Sequence, residues 1–328
     1  MSGIACDCGS PKYPNTGRPN CFVIQKVMAM SWYRAKYKKD GTRNYIDVNA
    51  DPLTILDSNG VAGNYATLGA YIQDLAQNPN WDASERLYPT PRVEGATFER
   101  TETVYETAPS TQKYKIDGVG GVRTMTYQMW DKDSAAQIQR ELSAVGCSDI
   151  EFYYVDISAN MWGIMDDPTT GLLRGYELSA ETFDVFKDYA TDTTVQKLNV
   201  SVDFDNEECE ENSYVLTSTE LGFKPTQIKG LISASISADN PDLNTIVATV
   251  ATGFGTAQNS TKVVGLLDAA FVVEDVAAPG VPLAHTGTVE NPDGTYTISM
   301  TAALTASNNY IVKATATGYD VADGAFVA

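Results

Sequence analysis

The chain has 328 residues and a mass of 35.4 kDa, enough for two domains at about 100 to 200 residues each. Its 43% hydrophobic and 10% aromatic content lies in the globular range and excludes a disordered polymer. A net charge of -19, from 23 basic and 42 acidic residues, excludes a basic face that grips nucleic-acid phosphates, whereas an acidic surface suits a protein that must repel a polyanion.

Residues 1–26 read as an extended N-terminal arm, because Pro11, Pro14, Gly17 and Pro19 punctuate them with turns. The start lacks the charged and apolar parts of a secretory signal, and no apolar run reaches the roughly 18 to 20 residues of a membrane helix. A soluble chain made and kept in a cytoplasm is expected. The odd set Cys6, Cys8, Cys21, Cys147 and Cys209 agrees with a reducing compartment. Cys6, Cys8 and Cys21 are the one metal-like cluster, but they lack a fourth ligand and the spacing of a zinc knuckle. No metal and no cofactor are expected.

A β-rich body follows, over 27–225. Val27 to Tyr37 reads as a strand, Asp40-Gly-Thr42 as a hairpin turn and Tyr45 to Val48 as a returning strand. Thr67 to Gln77 carries Leu68, Tyr71, Ile72 and Leu75 at helical spacing. Strands are expected over Thr97 to Tyr105, Lys113 to Ile116 and Val122 to Trp130. The clearest helix has Ser134 and Gln137 as its cap, Ile138, Leu142 and Val145 as its apolar stripe, and Gly146 as its stop. Ile150 to Ile157 and Met161 to Met165 follow as strands. Leu178 to Ala190 and Val195 to Phe204 then alternate as two long neighbours around the Thr191-Asp-Thr-Thr194 turn, leaving sheet edges that can pair with other chains.

Catalytic groupings are sparse. Asp166 and Asp167, or Asp131 and Asp133, are adjacent acids at element ends, where aspartate starts turns more readily than it flanks a scissile bond. His285 is the one histidine, with no nucleophile evident beside it. The run Asp203, Asp205, Glu207, Glu208, Glu210 and Glu211 has Glu208 where a calcium loop needs glycine. It reads as a solvated acidic loop that would line the bore of a ring, if the body formed one. No enzyme is expected.

Residues 226–328 read as an all-β module. Ile246 to Val250, Ala270 to Glu274, Thr295 to Met300 and Tyr310 to Thr315 alternate between turn signals, the sharpest being Asn291-Pro-Asp-Gly294. The pattern predicts an immunoglobulin-like β-sandwich that stands on the body. The fold class expected for the whole chain is mainly β: a β-sandwich or barrel-forming body with one or two short helices, plus this sandwich.

Taken together, the helix Ser134 to Val145, the strand Ile150 to Ile157 and the pair Glu177 to Ala190 and Thr194 to Phe204 resemble the major tail tube protein of tailed phages. The similarity extends to structural proteins of phages of Bacteroidetes-type hosts, in this stretch and in the start from Cys8 to Cys21. The motifs are architectural. The resemblance implies a virion protein made in the host cytoplasm that assembles with itself into stacked, hexameric rings. Long hairpins would close a central barrel through which double-stranded DNA passes without specific binding, and the added module would project outward. Implied partners are further copies, a tape measure protein and a tail terminator, with no membrane. The alternatives are a head decoration protein and, in a different class, a glycan-binding adhesin.

Overall fold

The computed structural model describes residues 24–49, 53–56, 62–102, 105–107, 109, 112–115, 121–130, 136–145, 149–167, 169–205, 212–255 and 260–328. The chain is mainly β, with 47% of it in strands, as its alternating segments lead one to expect. It divides between Lys229 and Gly230 into two compact units. Pro225 is buried, and Phe223 and Ile228 pack against the core of the first unit, so this segment is part of the body. Of the expected arm, only residues 24–26 are among those described.

The body is organised around the strand Ile150–Asp156, which is buried at every position. A strand covered on both faces carries a continuous apolar run instead of an alternation, and Phe152, Tyr153, Tyr154 and Val155 supply it. Its antiparallel neighbour Met28–Ala35 pairs from Ala35 opposite Ile150 to Met28 opposite Asp156. A bulge between Met28 and Met30 adds one residue and turns Met28 to the face opposite Met30 and Trp32. The central sheet runs Ser213–Leu216, Met161–Ile164, Ile150–Asp156, Met28–Ala35, Tyr88–Pro89, with Tyr176–Glu177 also on the central strand.

Each face of this sheet has its own core. On one face Met30, Trp32, Tyr153, Val155 and Met161 meet helix α1, Leu68–Gln77, through Tyr71, Ile72, Leu75 and Ala76. Thr67 caps α1 by accepting from the Ala70 N–H at 3.2 Å. A Cβ at Gly69 would lie 1.8 Å from the Leu221 carbonyl oxygen; glycine there lets α1 meet the short Ser218–Leu221 helix backbone to backbone.

The other face packs on a second sheet, ordered Asp184–Asp188, Lys197–Asp203, Arg123–Trp130, Glu94–Arg100 and antiparallel throughout. Met125, Tyr127, Met129, Leu198, Val200 and Val202 point inward to Phe152, Tyr154 and Trp162. Helix α2, Ala136–Val145, adds Leu142, with Ile138 and Val145 packed beside it. Ser134 and Gly146, expected as its cap and stop, lie outside the described residues, as do Asp131 and Asp133.

The strand expected from Thr97 to Tyr105 ends at Arg100, and Tyr105–Thr107 is a separate strand paired with Lys113–Lys115. A second expectation is also corrected. The alternation from Leu178 to Ala190 is not a single strand. Leu178 bridges Phe204, a 3-10 turn occupies Ala180–Thr182, and the strand begins at Asp184. The Thr182 hydroxyl donates to the Ser179 carbonyl (2.9 Å) and accepts from the Asp203 N–H (2.9 Å). Such side-chain bonds compete with a regular ladder. They let the chain leave the central sheet at Glu177 and enter the second sheet at Asp184.

The unit Gly230–Ala328 is a two-sheet sandwich. One sheet runs His285–Glu290, Tyr296–Met300, Thr245–Gly255, Ile232–Asp242, Tyr319–Ala322; the other runs Pro282–Leu283, Phe271–Asp275, Asn309–Ala314, Gly324–Val327. Ile246, Ala248, Val250 and Ile298 face Phe271, Val273, Val312 and Phe326 across a single core. Counted along the module, the first, second, fifth and fourth long strands make one sheet and the third, sixth and seventh the other. That is the strand order of a constant-type immunoglobulin sandwich. The last strand switches sheets around Asp323, where a Cβ on Gly324 would lie 2.8 Å from the Ile236 carbonyl oxygen.

The module contains no cysteine, so the usual inter-sheet disulfide is replaced by packing. It does carry the tyrosine corner of that fold: Tyr310, 3% exposed, opens the sixth strand and its hydroxyl accepts from the Thr305 N–H at 2.8 Å. Replacing Tyr310 with phenylalanine leaves that N–H without its partner and should cost about 1 kcal/mol. The check is urea denaturation of isolated Gly230–Ala328, which should fold by itself because its strands close its own core. An unfolded fragment would contradict the modular account.

Candidate functional site

The second sheet has one buried face and one polar face. Along Arg123–Trp130 the buried residues alternate with Thr124, Thr126 and Gln128, and along Lys197–Asp203 Asn199 and Ser201 lie on the same outer face, Asn199 itself buried there. These outward groups bond largely to one another. The Thr97 and Thr126 hydroxyls lie 2.6 Å apart, Thr124 donates to Asp203 at 2.6 Å, and the Asn199 amide donates to Asp188 at 2.9 Å. The result is a hydroxyl and amide surface rimmed by acids, with Phe186 and Trp130 exposed on it as apolar interruptions. A shallow depression of about 200 Å³ lies between Gly95, Gln128 and Phe186.

Among the described strands, Asp184–Asp188 and Glu94–Arg100 each pair on one side only. Unpaired strand edges present rows of N–H and C=O groups that can template pairing with another chain. The edges are graded by charge, with Asp184, Lys187 and Asp188 on one and Glu94, Glu99 and Arg100 on the other. The Gln139 amide of α2 donates to the Val185 carbonyl at 3.4 Å, which fixes that carbonyl as outward-facing. Residues two apart in a strand share a side, so Lys187 also turns its N–H to the open edge. At the hairpin end, a hollow of about 390 Å³ is lined by Lys187, Tyr189, Thr191, Thr194, Val195 and Lys197. Tyr189 is 79% exposed there, and the Lys197 ammonium sits 4.4 Å from the centre of the Trp130 ring.

Of the acidic run, Asp203 and Asp205 are described; Glu207, Glu208, Glu210 and Glu211 lie outside the described residues. Asp203 ends its strand bonded to Thr124, and the Asp205 carbonyl accepts from Arg123 at 3.3 Å. Both sit at the end of the second sheet away from the hairpin tip. Cys6, Cys8, Cys21, Cys147 and Cys209 also lie outside the described residues. Among the described residues no three metal-ligating side chains come together.

The adjacent acids do not form a pair. Asp166 takes a two-pronged grip from Arg174, at 2.7 and 2.8 Å, while Asp167 accepts from the Thr169 N–H and hydroxyl in a turn. His285 lies 3.1 Å from Asp268. Among the described residues no hydroxyl or thiol bonds to it. Three of the four tryptophans, Trp32, Trp81 and Trp162, are buried, and Trp130 is on the outer face of the second sheet.

A larger polar constellation was not visible in the sequence. It gathers Arg34, Lys36, Arg43, Glu151, Arg174 and Glu177 at one end of the α1 face of the central sheet. These residues stand up to 143 positions apart (177 − 34), and only the sheet register brings them together. No family model, no curated protein and no solved structure matches this chain.

Arg174 is 6% exposed and holds both Asp166 and Glu177. Removing one partner of a buried ion pair strands the others, so Arg174→Ala should cost about 3–5 kcal/mol of body stability. Asp167→Asn should move the same denaturation curve by much less, because Asp167 serves only an exposed turn. Equal effects would contradict this division of roles.

Proposed function

We propose that this chain is a structural, self-assembling virion protein of the tail tube kind. The observation that carries the reading is the second sheet: four antiparallel strands with a polar outer face and an edge strand on each side, one of them bonded by α2 at the Val185 carbonyl and open at Lys187. Copies joined edge to edge would continue the sheet from subunit to subunit, and a curved sheet that closes on itself abolishes its edges. Its outer face would then become the inner wall of a ring. Hydroxyls and amides that already bond to one another, rimmed by carboxylates, offer DNA phosphates few positive partners. The chain's charge of -19 fits a wall that a polyanion passes without sticking.

The module is read as an outward appendage that closes its own core and is dispensable for ring formation. Further copies, a tape measure protein and a tail terminator are the proposed partners, and no catalytic role is proposed. The ring number suggested by the family resemblance is six.

Negative-stain microscopy of concentrated protein is expected to show rings or stacked tubes. Lys187→Pro removes an N–H from the open edge while leaving the bonds between Asp184–Asp188 and Lys197–Asp203 in place. It should abolish assembly and leave the monomer's circular dichroism unchanged. Rings formed equally well by this variant would overturn edge pairing through that strand. Antibody labelling of particles on the head, with none on the tail, would replace the tube reading with head decoration.

A further inference from the structure

The ion cluster of the central sheet holds two carboxylates that compete for one guanidinium. Glu151 stands directly opposite Arg34 on one neighbouring strand and directly opposite Glu177 on the other. Glu177 takes the well-formed contacts: Arg43 Nη2 at 2.6 Å, the Lys36 ammonium, and Arg174 Nη1 at 3.5 Å. Glu151 is fully buried, and its nearest cationic contact is the same Arg43 Nη2, at 3.6 Å, beyond hydrogen-bond reach. Among the described residues its Oε2 has no hydrogen-bond partner, and neither has Arg43 Nε. Arg34 donates to the carbonyls of Glu85 (3.0 Å) and Tyr45 (3.4 Å) and also bonds the Tyr153 and Tyr71 hydroxyls. Glu151 otherwise accepts a bond from the Tyr153 hydroxyl to Oε1 at 3.3 Å and one from the Gly175 N–H.

A carboxylate requires its oxygens to be solvated or bonded when buried, whereas a neutral carboxyl tolerates this setting. We propose that Glu151 is a pH-sensitive latch: neutral, it leaves Arg43 to Glu177 and keeps this end of the sheet closed; ionised, it draws Arg43 away and loosens the Lys38–Thr42 turn and the Tyr176–Glu177 strand. The electrostatics agree with the geometry. Burial pushes the Glu151 carboxyl up to about 7, against the opposing pull of Arg34, Arg43, the Gly175 N–H and Arg174. Glu177 is shifted the other way, held below the ordinary carboxylate range by Lys36 and Arg43 despite its own partial burial.

A carboxyl that titrates higher in the folded than in the unfolded chain stabilises the fold at low pH. Its contribution is complete below the ordinary glutamate value of 4.5 and is lost as pH rises through about 7. Between these values the unfolding constant of the body rises toward tenfold per pH unit from this group alone. Glu177 acts in the opposite sense at lower pH: its stabilisation is present above the ordinary value and is lost as pH falls through its depressed one.

The test is urea unfolding of the full chain from pH 5 to pH 8, wild type against Glu151→Gln, with backbone amide exchange followed at Arg43 to Ile46 and Tyr176 to Leu178. The wild-type body should weaken between pH 5 and pH 7 and level off above. Amide exchange at both segments, corrected for its intrinsic pH dependence, should accelerate over the same range, and the variant should show neither change. Parallel pH profiles for the two proteins would overturn the latch. Should the variant fail to fold, the carboxyl carbon shift of Glu151 in the wild type decides: a midpoint near 7 supports the proposal, and one near 4.5 refutes it.

Discussion

Burial of the strand Ile150–Asp156 on both faces is the constraint on which the rest of the body depends. A strand with water on one side needs one core, but this one needs two, so α1 and its neighbours must cover one face and the second sheet the other. Its aromatic run explains the thickness of the covering layers. Phe152 and Tyr154 reach Tyr176, Phe204 and Phe98 on one side, with ring centroids 5.4 to 5.6 Å apart in the closest pairs, while Tyr153 and Val155 meet the α1 layer on the other. The charges at the ends of the strand obey the same constraint. Asp156 accepts bonds from Ser158, Asn160 and Trp162, whereas Glu151 shares a cluster in which another carboxylate holds the better contacts.

The second sheet is the covering layer that remains half-finished. Its inner face is a conventional core surface, and its outer face and two edge strands are left for water or for further copies. Recruiting an outer layer to cover an inner one therefore produces a surface suited to assembly. The proposed tube uses that surface, with the hydroxyl and amide face turned to the bore and the edges joined. The C-terminal sandwich obeys a different rule: its last strand crosses between sheets at Gly324, and its core is complete within the unit.

Much of this architecture was legible in the sequence because its signals are local. The period of α1, the turn at Gly294, the alternation of Tyr296–Met300 and the continuous run of Phe152 to Val155 each depend on a few neighbouring residues. The break at Ala180–Thr182 was not, since the residues there alternate well enough for a strand and only the bond from the distant Asp203 N–H to Thr182 stops it. The first module strand, Ile232–Asp242, was missed because serine, alanine and asparagine give it little strand character; its pairing with Thr245–Gly255 decides the matter. The ion cluster was hidden for the same reason. Arg34, Arg43, Glu151 and Glu177 look like scattered surface charges until the register sets them side by side. The assembly surface was legible only as an expectation of free edges, and its hydroxyl lining emerged once the inward and outward residues were separated.

The proposed tube requires the edges of the second sheet to be assembly surfaces. Hydrogen exchange at the backbone amides of Asp184–Asp188 and Glu94–Arg100, compared between dilute and concentrated protein, tests it most directly. Both strands should gain strong protection on concentration while the strands of the module do not. Unchanged exchange at both edges in a sample that has assembled would place the contacts elsewhere and contradict the account.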